Sequence, residues 1–248
     1  GNTFTPITES KEAFFAKAIK IRRANVMRRE PIQGSSQAIF PHTGSPKALV
    51  ILAEYQDKRF SIKNPKRSFN QYLNKEEGKQ EEFGYRESKN YGSVRQYFSE
   101  MSNGQFTPQF DIVGPVTLPE NMTYYGGTSS TGNDERTAQM VVDACELVKD
   151  SVDFSLYDSN NDGYVDLVYV IYAGYGQSMG AANNTVWPKA TYVRSQAEYN
   201  GKKIYRAGVN NELIGNEKTF NGEPAITGLG LFIHEFSHCL GLPDFYAS

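Results

Sequence analysis

The segment HEFSHCLGLPD, residues 234–244, constrains the fold more than any other part of the chain, and it holds two of the three histidines. Residues four apart on a helix project from nearly the same face, so His234 and His238 can both reach one Zn²⁺. Glu235 lies one step round the helix, close to that ion without pointing at it. There its carboxylate can accept a proton from an attacking water instead of coordinating the metal.

The residues after His238 predict how a third ligand is supplied. A catalytic zinc site needs three protein ligands, and Asp244 is the only Asp, Glu or His that follows His238. Gly241 can adopt a positive φ and Pro243 cannot continue a helix, so the chain can turn and bring Asp244 back toward the histidines. We interpret Cys239 as a small buried apolar residue and not as a ligand. The alternative is a pair of histidines on an ordinary amphipathic helix.

Apolar runs of strand length predict the sheet. ALVILAEY at 48–55 and VDLVYVIYAGYG at 165–176 have the composition of buried strands, and FTPQFDIVGPVTLP at 106–119 alternates like a strand with a bend. We expect the strand at 165–176 to lie near the edge of a cleft, where an extended peptide could add to it. Together with the helices below, these strands predict an α+β domain with a mixed sheet.

Helical spacing of apolar residues predicts a helix within 93–106, which ends at the sequence SNG, and another within 134–152. Asp134 is the expected N-cap of the second helix.

The amino-terminal residues differ in composition from the rest of the chain. Residues 8–30 favour a helix, and residues 31–47 are rich in Pro, Gly and Ser, which is typical of a linker. We therefore expect two parts: a helical arm with its linker at 1–47 and the main domain at 48–248. The arm fits either a prosegment remnant or a simple packing arm.

A second acidic motif, DSNNDGYVD, begins at residue 158. Its spacing resembles the first part of an EF-hand loop, with oxygen ligands at alternate positions and a glycine for the turn. The candidate calcium ligands are Asp158, Asn160, Asp162, the main-chain carbonyl of Tyr164, and Asp166. Tyr169 stands where an EF-hand has its bidentate glutamate. The alternative is a turn built from Asp, Asn and Gly without any metal.

Composition excludes several other classes of function. Lys and Arg total 26 against 28 Asp and Glu, a net charge of −2 without a concentrated basic patch, so we expect no nucleic-acid partner. No apolar run reaches the length of a membrane-spanning helix. Two cysteines are too few for a disulfide framework.

HExxHxxGxxD is similar to the metzincin motif, with aspartate in place of the usual third histidine. The longer string GLFIHEFSHCLGLPDFY, with YGSVRQYFSEMSNGQFTPQFDIVGPVTLP and DSNNDGYVDLVYVIYAGYG upstream, resembles the immune inhibitor A type of secreted bacterial metallopeptidase, peptidase family M6. The resemblance implies a zincin-like fold and a secreted zinc endopeptidase that acts on proteins or peptides. It implies His234, His238 and Asp244 as zinc ligands and Glu235 as catalytic base.

The sequence departs from the metzincin pattern after the third ligand. Metzincins have a methionine-containing turn beneath the zinc, whereas none of the five methionines here follows Asp244. We therefore expect a catalytic domain truncated after its zinc-binding motif. The alternative function is a catalytically inactive or zymogen-like fragment that acts as a peptide- or glycan-binding module.

Overall fold

A computed structural model describes residues 40–75, 90–127, 134 and 136–244. The chain divides into two units, residues 1–36 and 37–248, and the first lies wholly outside the described residues. The predicted helix at 8–30 lies there too, so the helical arm and the division at residue 47 stay predictions.

A five-stranded mixed sheet forms the centre of the larger unit, with the strand order β2–β1–β3–β7–β4. Neighbouring strands are parallel except for β4, which runs antiparallel to β7. A separate antiparallel pair consists of β5 and β6. The strands are β1 (Lys47–Glu54), β2 (Gln109–Thr117), β3 (Val168–Tyr175), β4 (Lys189–Tyr192), β5 (Glu198–Tyr199), β6 (Lys202–Lys203) and β7 (Arg206–Leu213). The mixed sheet that the sequence predicts is confirmed.

Helices cover both faces of this sheet. They are α1 (Pro65–Asn74), α2 (Val94–Met101), the single turn α3 (Met122–Tyr125), α4 (Thr137–Val148) and α5 (Leu229–Cys239). Side chains of α1, α2 and α5 share one apolar core, and those of α4 share the other. Alternate residues of β1 and β3 enter the two cores, which explains why residues 48–53 of β1 and the whole of β3 are buried and mostly apolar.

The expectation that the strand at 165–176 lies at a cleft edge is wrong. β3 is the central strand, paired with β1 on one side and β7 on the other, and all of its residues are buried. The strands at the two ends of the described sheet are β2 and β4. A buried central strand has no free main-chain groups to offer to a peptide.

The expected cap of the helix at 134–152 is also wrong. α4 begins at Thr137, and the residue before it, Arg136, supplies no side-chain cap. The Asp134 carboxylate instead accepts the N–H of Trp187 and the Lys189 ammonium, each at 2.8 Å. It therefore fixes the start of β4.

Two other local predictions are confirmed. α2 is capped by Ser93, whose hydroxyl accepts the N–H of Gln96 at 3.1 Å, and it ends before Asn103 and Gly104, both of which have positive φ. The bend predicted for β2 corresponds to an irregularity in its pairing with β1, which shifts register between Ile51 and Ala53; there a Cβ on Gly114 would stand 2.6 Å from the carbonyl oxygen of Leu52.

Candidate metal centre

Helix α5 presents an apolar face to the sheet. Phe232, Phe236 and Cys239, spaced by four and three residues, are fully buried. The Phe232 ring stacks on Tyr169 of β3, with the ring centroids 4.1 Å apart. Gly208 of β7 makes room for this stack, because a Cβ there would lie 2.3 Å from the tyrosine ring. Burial of this face fixes the rotation of the helix and directs both histidines away from the core, with Cys239 buried as expected.

The turn after α5 reverses the chain. The N–H of Gly241 donates to the carbonyl of His238 at 2.9 Å, and the N–H of Leu242 donates to the carbonyl of Ser237 at 3.0 Å. This pair of bonds is a Schellman motif, which needs a left-handed residue at its centre, and Gly241 has a φ of 85°. The helix thus ends where the sequence predicts, and Asp244 returns to the histidines.

Three side-chain atoms meet at this corner, and we call them the ligand triangle. His234 Nε2 and His238 Nε2 lie 3.2 Å apart. Asp244 Oδ1 lies 3.5 Å from the first and 3.2 Å from the second. Zinc bonds of 2.0–2.2 Å in a tetrahedron predict edges of about 3.3–3.6 Å between ligand atoms. One edge of the ligand triangle lies within this range and the other two, at 3.2 Å, lie just below it, so the three atoms are spaced closely enough to share one zinc ion.

The second ring nitrogen of His238 fixes its orientation. Nδ1 lies 2.7 Å from the main-chain oxygen of Leu242. Because a carbonyl can only accept, Nδ1 carries the proton and donates it, which leaves the Nε2 lone pair for a metal. The His234 and Asp244 side chains are 44% and 48% exposed, so a substrate can approach the ligand triangle from solvent.

Glu235 is buried beside the ligand triangle. One ligand atom from each of His234, Glu235 and His238 also lies within 4.8 Å of the others. Burial raises the pKa of Glu235 to about 7; the neighbouring His238, the N–H of Ala190 and Lys189 oppose this shift, and Asp244 adds to it. A carboxyl with this pKa can both accept and donate a proton near neutral pH.

β4, which lies beside α5 at the end of the sheet, is not predicted by the sequence. Its residue Ala190 donates its N–H to Glu235, and the neighbouring Lys189 is the residue held by Asp134. The strand has four residues and is mostly half-buried, so it shows neither a buried run nor a useful alternation. Only its pairing with β7 identifies it.

The acidic loop, residues 158–166, folds as a tight turn. Asp158 accepts the N–H groups of Asp162 and Gly163, each at 3.1 Å, and the Lys202 ammonium at 2.6 Å. Asp162 accepts the N–H of Tyr164 at 2.9 Å. These are the hydrogen bonds of the alternative interpretation, a turn built from Asp, Asn and Gly.

The remaining members of the acidic loop are also hydrogen-bonded. Asn160 Oδ1 accepts the N–H of Asp162 at 3.1 Å, and Asp166 accepts the N–H of Ser159 at 3.1 Å. Burial would raise the pKa of Asp158, but the Lys202 ammonium and the backbone donors outweigh it and hold that pKa below its usual value. Calcium binding at this loop stays a prediction, and the loop is ordered by its own contacts.

Most of the chain, and not only the metal centre, is similar to known proteins. Residues 39–248 match the family model described as immune inhibitor A peptidase M6, catalytic domain. The chain belongs to the M6 peptidase family. Immune inhibitor A of Bacillus thuringiensis subsp. alesti is 28% identical over 235 residues, which cover 81% of this chain and 33% of that protein. The pre-pro-metalloprotease PrtV of Vibrio cholerae serotype O1 is 27% identical over 177 residues, covering 63% of this chain and 19% of that protein.

The M6 resemblance inferred from the motifs is therefore confirmed. The chain matches about a third of immune inhibitor A and about a fifth of PrtV. Among the described residues, no helix combines the length and apolar character that crossing a membrane requires.

Proposed function

We propose that this M6 domain is a zinc-dependent endopeptidase that hydrolyses peptide bonds of protein substrates. The observation that carries the proposal is the ligand triangle of His234, His238 and Asp244, whose edges suit a tetrahedral zinc. Two imidazoles and one carboxylate with an open fourth position are typical of catalytic rather than structural zinc sites. The similarity to PrtV, which is named a metalloprotease, points in the same direction.

The donor set fits zinc chemically as well as geometrically. Imidazole nitrogen and carboxylate oxygen are both common zinc ligands, and the Leu242 carbonyl holds His238 in the tautomer that binds metal. Zinc held there would act as a Lewis acid, which would polarise the scissile carbonyl and lower the pKa of water toward about 7.

Glu235 performs the proton transfers. Its carboxylate accepts a proton from the water as the water oxygen forms a bond to the carbonyl carbon. The same proton is then delivered to the departing amine nitrogen as the C–N bond breaks. Both steps need a carboxyl that changes protonation state near neutral pH, and burial provides this by raising the pKa of Glu235 to about 7.

β4 is the strand that an extended substrate would join. It lies at one end of the described sheet, and Ala190 within it contacts Glu235. A peptide that adds alongside β4 through main-chain hydrogen bonds would carry its scissile bond past the catalytic carboxyl. β4 thereby takes the role that the sequence suggested for β3.

We also propose that the protein acts outside the cell, which rests on the family resemblance. Recovery of the protein from the culture supernatant of its source, and not from washed cells, tests this.

The Glu235→Gln variant tests the catalytic proposal. The amide cannot accept the proton, so we expect hydrolysis of casein to fall by about 10²–10⁴-fold. Metal content should match the wild type, because Glu235 does not coordinate zinc. The matched control is Glu198→Gln, on the exposed residue of β5, which should keep both zinc and activity.

Zinc content and turnover separate this proposal from its alternative. Bound zinc with no hydrolysis in the wild type would favour an inactive or zymogen-like binding module. A wild type that binds no zinc would overturn the proposed function itself.

A further inference from the structure

Arg206, the first residue of β7, joins three elements around the metal centre. Its Nη1 donates to the carbonyl oxygens of His238 and Cys239 at 3.0 and 3.1 Å. Its Nη2 donates to the hydroxyl of Tyr192 at the end of β4, at 2.9 Å. The guanidinium also lies 5.0 Å from the centroid of the Tyr192 ring. A single side chain thus contacts α5, β7 and β4.

The two carbonyls belong to the last turn of α5, where helical partners are missing. The Schellman motif satisfies the carbonyl of Ser237 through Leu242 and gives His238 one donor, from Gly241. Arg206 donates a second hydrogen bond to the carbonyl of His238 and one to the carbonyl of Cys239. Its positive charge also lies at the negative end of the helix dipole, which favours this arrangement.

The position of these bonds matters more than their number. His238 is a member of the ligand triangle, and the turn that returns Asp244 begins at the same carbonyl. A guanidinium fork accepts little change in geometry, so it fixes this carbonyl relative to β7. On its other side the same fork holds Tyr192, two residues from Ala190, whose N–H reaches Glu235.

We infer that Arg206 is a positioning residue of the metal centre, which preorganises the ligand triangle and couples it to β4. The inference rests on the proposed function. Arg206 acts through the main chain of His238 and through Tyr192, and has no direct role in the chemistry. A purely structural cap would stabilise the domain without changing its affinity for zinc.

Zinc affinity measured by competition with a chromophoric chelator distinguishes these two roles. We expect Arg206→Gln to weaken zinc binding by about 10–100-fold, the usual loss when an outer partner of a metal ligand is removed. Arg206→Lys keeps the charge without the fork, and we expect a loss of about tenfold. The control is Arg59→Gln, which removes an exposed pair with Glu54 and should leave zinc affinity unchanged.

Hydrogen exchange in the metal-free proteins gives a readout that does not depend on zinc. We expect both Arg206 variants to lose protection selectively at the amides of Gly241 and Leu242, while the central strands keep theirs.

Tyr192→Phe leaves the bonds to the helix end intact. It should change zinc affinity by less than about threefold, below the loss typical of an outer partner, and raise KM more than it lowers kcat.

The two proposals fail in different ways. If the wild type binds zinc and both Arg206 variants bind it equally tightly, Arg206 is a structural cap and the inference is overturned while the peptidase proposal stands. A lower melting temperature with unchanged zinc affinity leads to the same conclusion. If the wild type itself binds no zinc, the proposed function falls, and the inference with it.

Discussion

The ligand triangle and the acidic loop both gather potential metal ligands within a few residues, yet their atoms are used differently. In the ligand triangle two imidazole nitrogens and a carboxylate oxygen converge on each other at 3.2–3.5 Å. Such atoms repel unless a cation or a proton lies among them. In the acidic loop the carboxylates accept backbone N–H groups, and Asp158 already holds the Lys202 ammonium.

A spacing motif predicts which residues lie close together, but not whether they bind a metal. Both motifs correctly place their residues close together, because neighbours in a turn or on a helix face are set by local geometry. Neither motif says whether the rest of the protein has already satisfied those atoms. In the acidic loop these atoms are already hydrogen-bonded, and Lys202 of β6 is one of the donors. The ligand triangle instead projects from the exposed side of α5.

Removal of one carboxylate from each site should give the largest difference. Asp244→Asn replaces a charged corner of the ligand triangle with a neutral amide, so we expect zinc affinity to fall by more than about 100-fold and proteolysis to fall with it. Asp158→Asn changes only the acidic loop and should leave zinc content and proteolysis unchanged. Metal analysis after dialysis and a casein assay measure both. Equal loss of zinc in the two variants would remove the distinction between the sites.

Glu212 of β7 is a buried carboxyl that belongs to neither motif. Its Oε1 accepts the N–H groups of Ser61 and Ile62, each at 2.7 Å, and its Oε2 accepts the N–H of Gly174 at 2.8 Å. Burial raises the pKa of Glu212 to about 7, although these three donors lower it. The pKa of Asp158, which has an ammonium partner, is lowered instead.

This contrast predicts a pH dependence of stability. Since the pKa of Glu212 is raised to about 7 in the folded state, the folded protein binds the proton more tightly than the unfolded chain. The stabilisation is fully present below the unfolded pKa of about 4.3 and is lost as pH rises through about 7. We therefore expect the free energy of unfolding of the wild type, relative to that of Glu212→Gln, to rise by up to about 3 kcal/mol as the pH falls from 8 to 5.

Urea denaturation of both metal-free proteins at several pH values measures this gain, because the other titrating groups cancel in the difference. A difference that does not change with pH would show that Glu212 keeps its charge in the folded state.

The smallest expected effect concerns calcium at the acidic loop. A calcium ion there would have to displace the Lys202 ammonium from Asp158. We therefore expect added calcium to raise the melting temperature of Lys202→Met more than that of the wild type, by the equivalent of about 1 kcal/mol or less. Zinc content should not change in either protein. An equal or larger rise in the wild type would show that the ammonium does not compete with calcium.

Much of the fold could be predicted from the sequence, because apolar runs identify buried strands directly. β1 and β3 appear within a few residues of their predicted bounds. The predicted position of β3 within the sheet was wrong. A strand that is buried on both faces is expected inside a sheet, and β3 lies there rather than at the cleft edge. Asp134 failed as a helix cap because its partners, Trp187 and Lys189, lie more than fifty residues away.

The helix, the glycine turn and the return of Asp244 are encoded locally, since each of these depends on residues within 234–244 and on local backbone geometry. The burial that raises the pKa of Glu235, the strand beside it and the arginine at the helix end arise only in the folded domain. Those features depend on contacts with β4 and β7, which are distant along the chain. Local geometry is encoded in neighbouring residues, whereas burial and charge environment arise only when distant segments pack together.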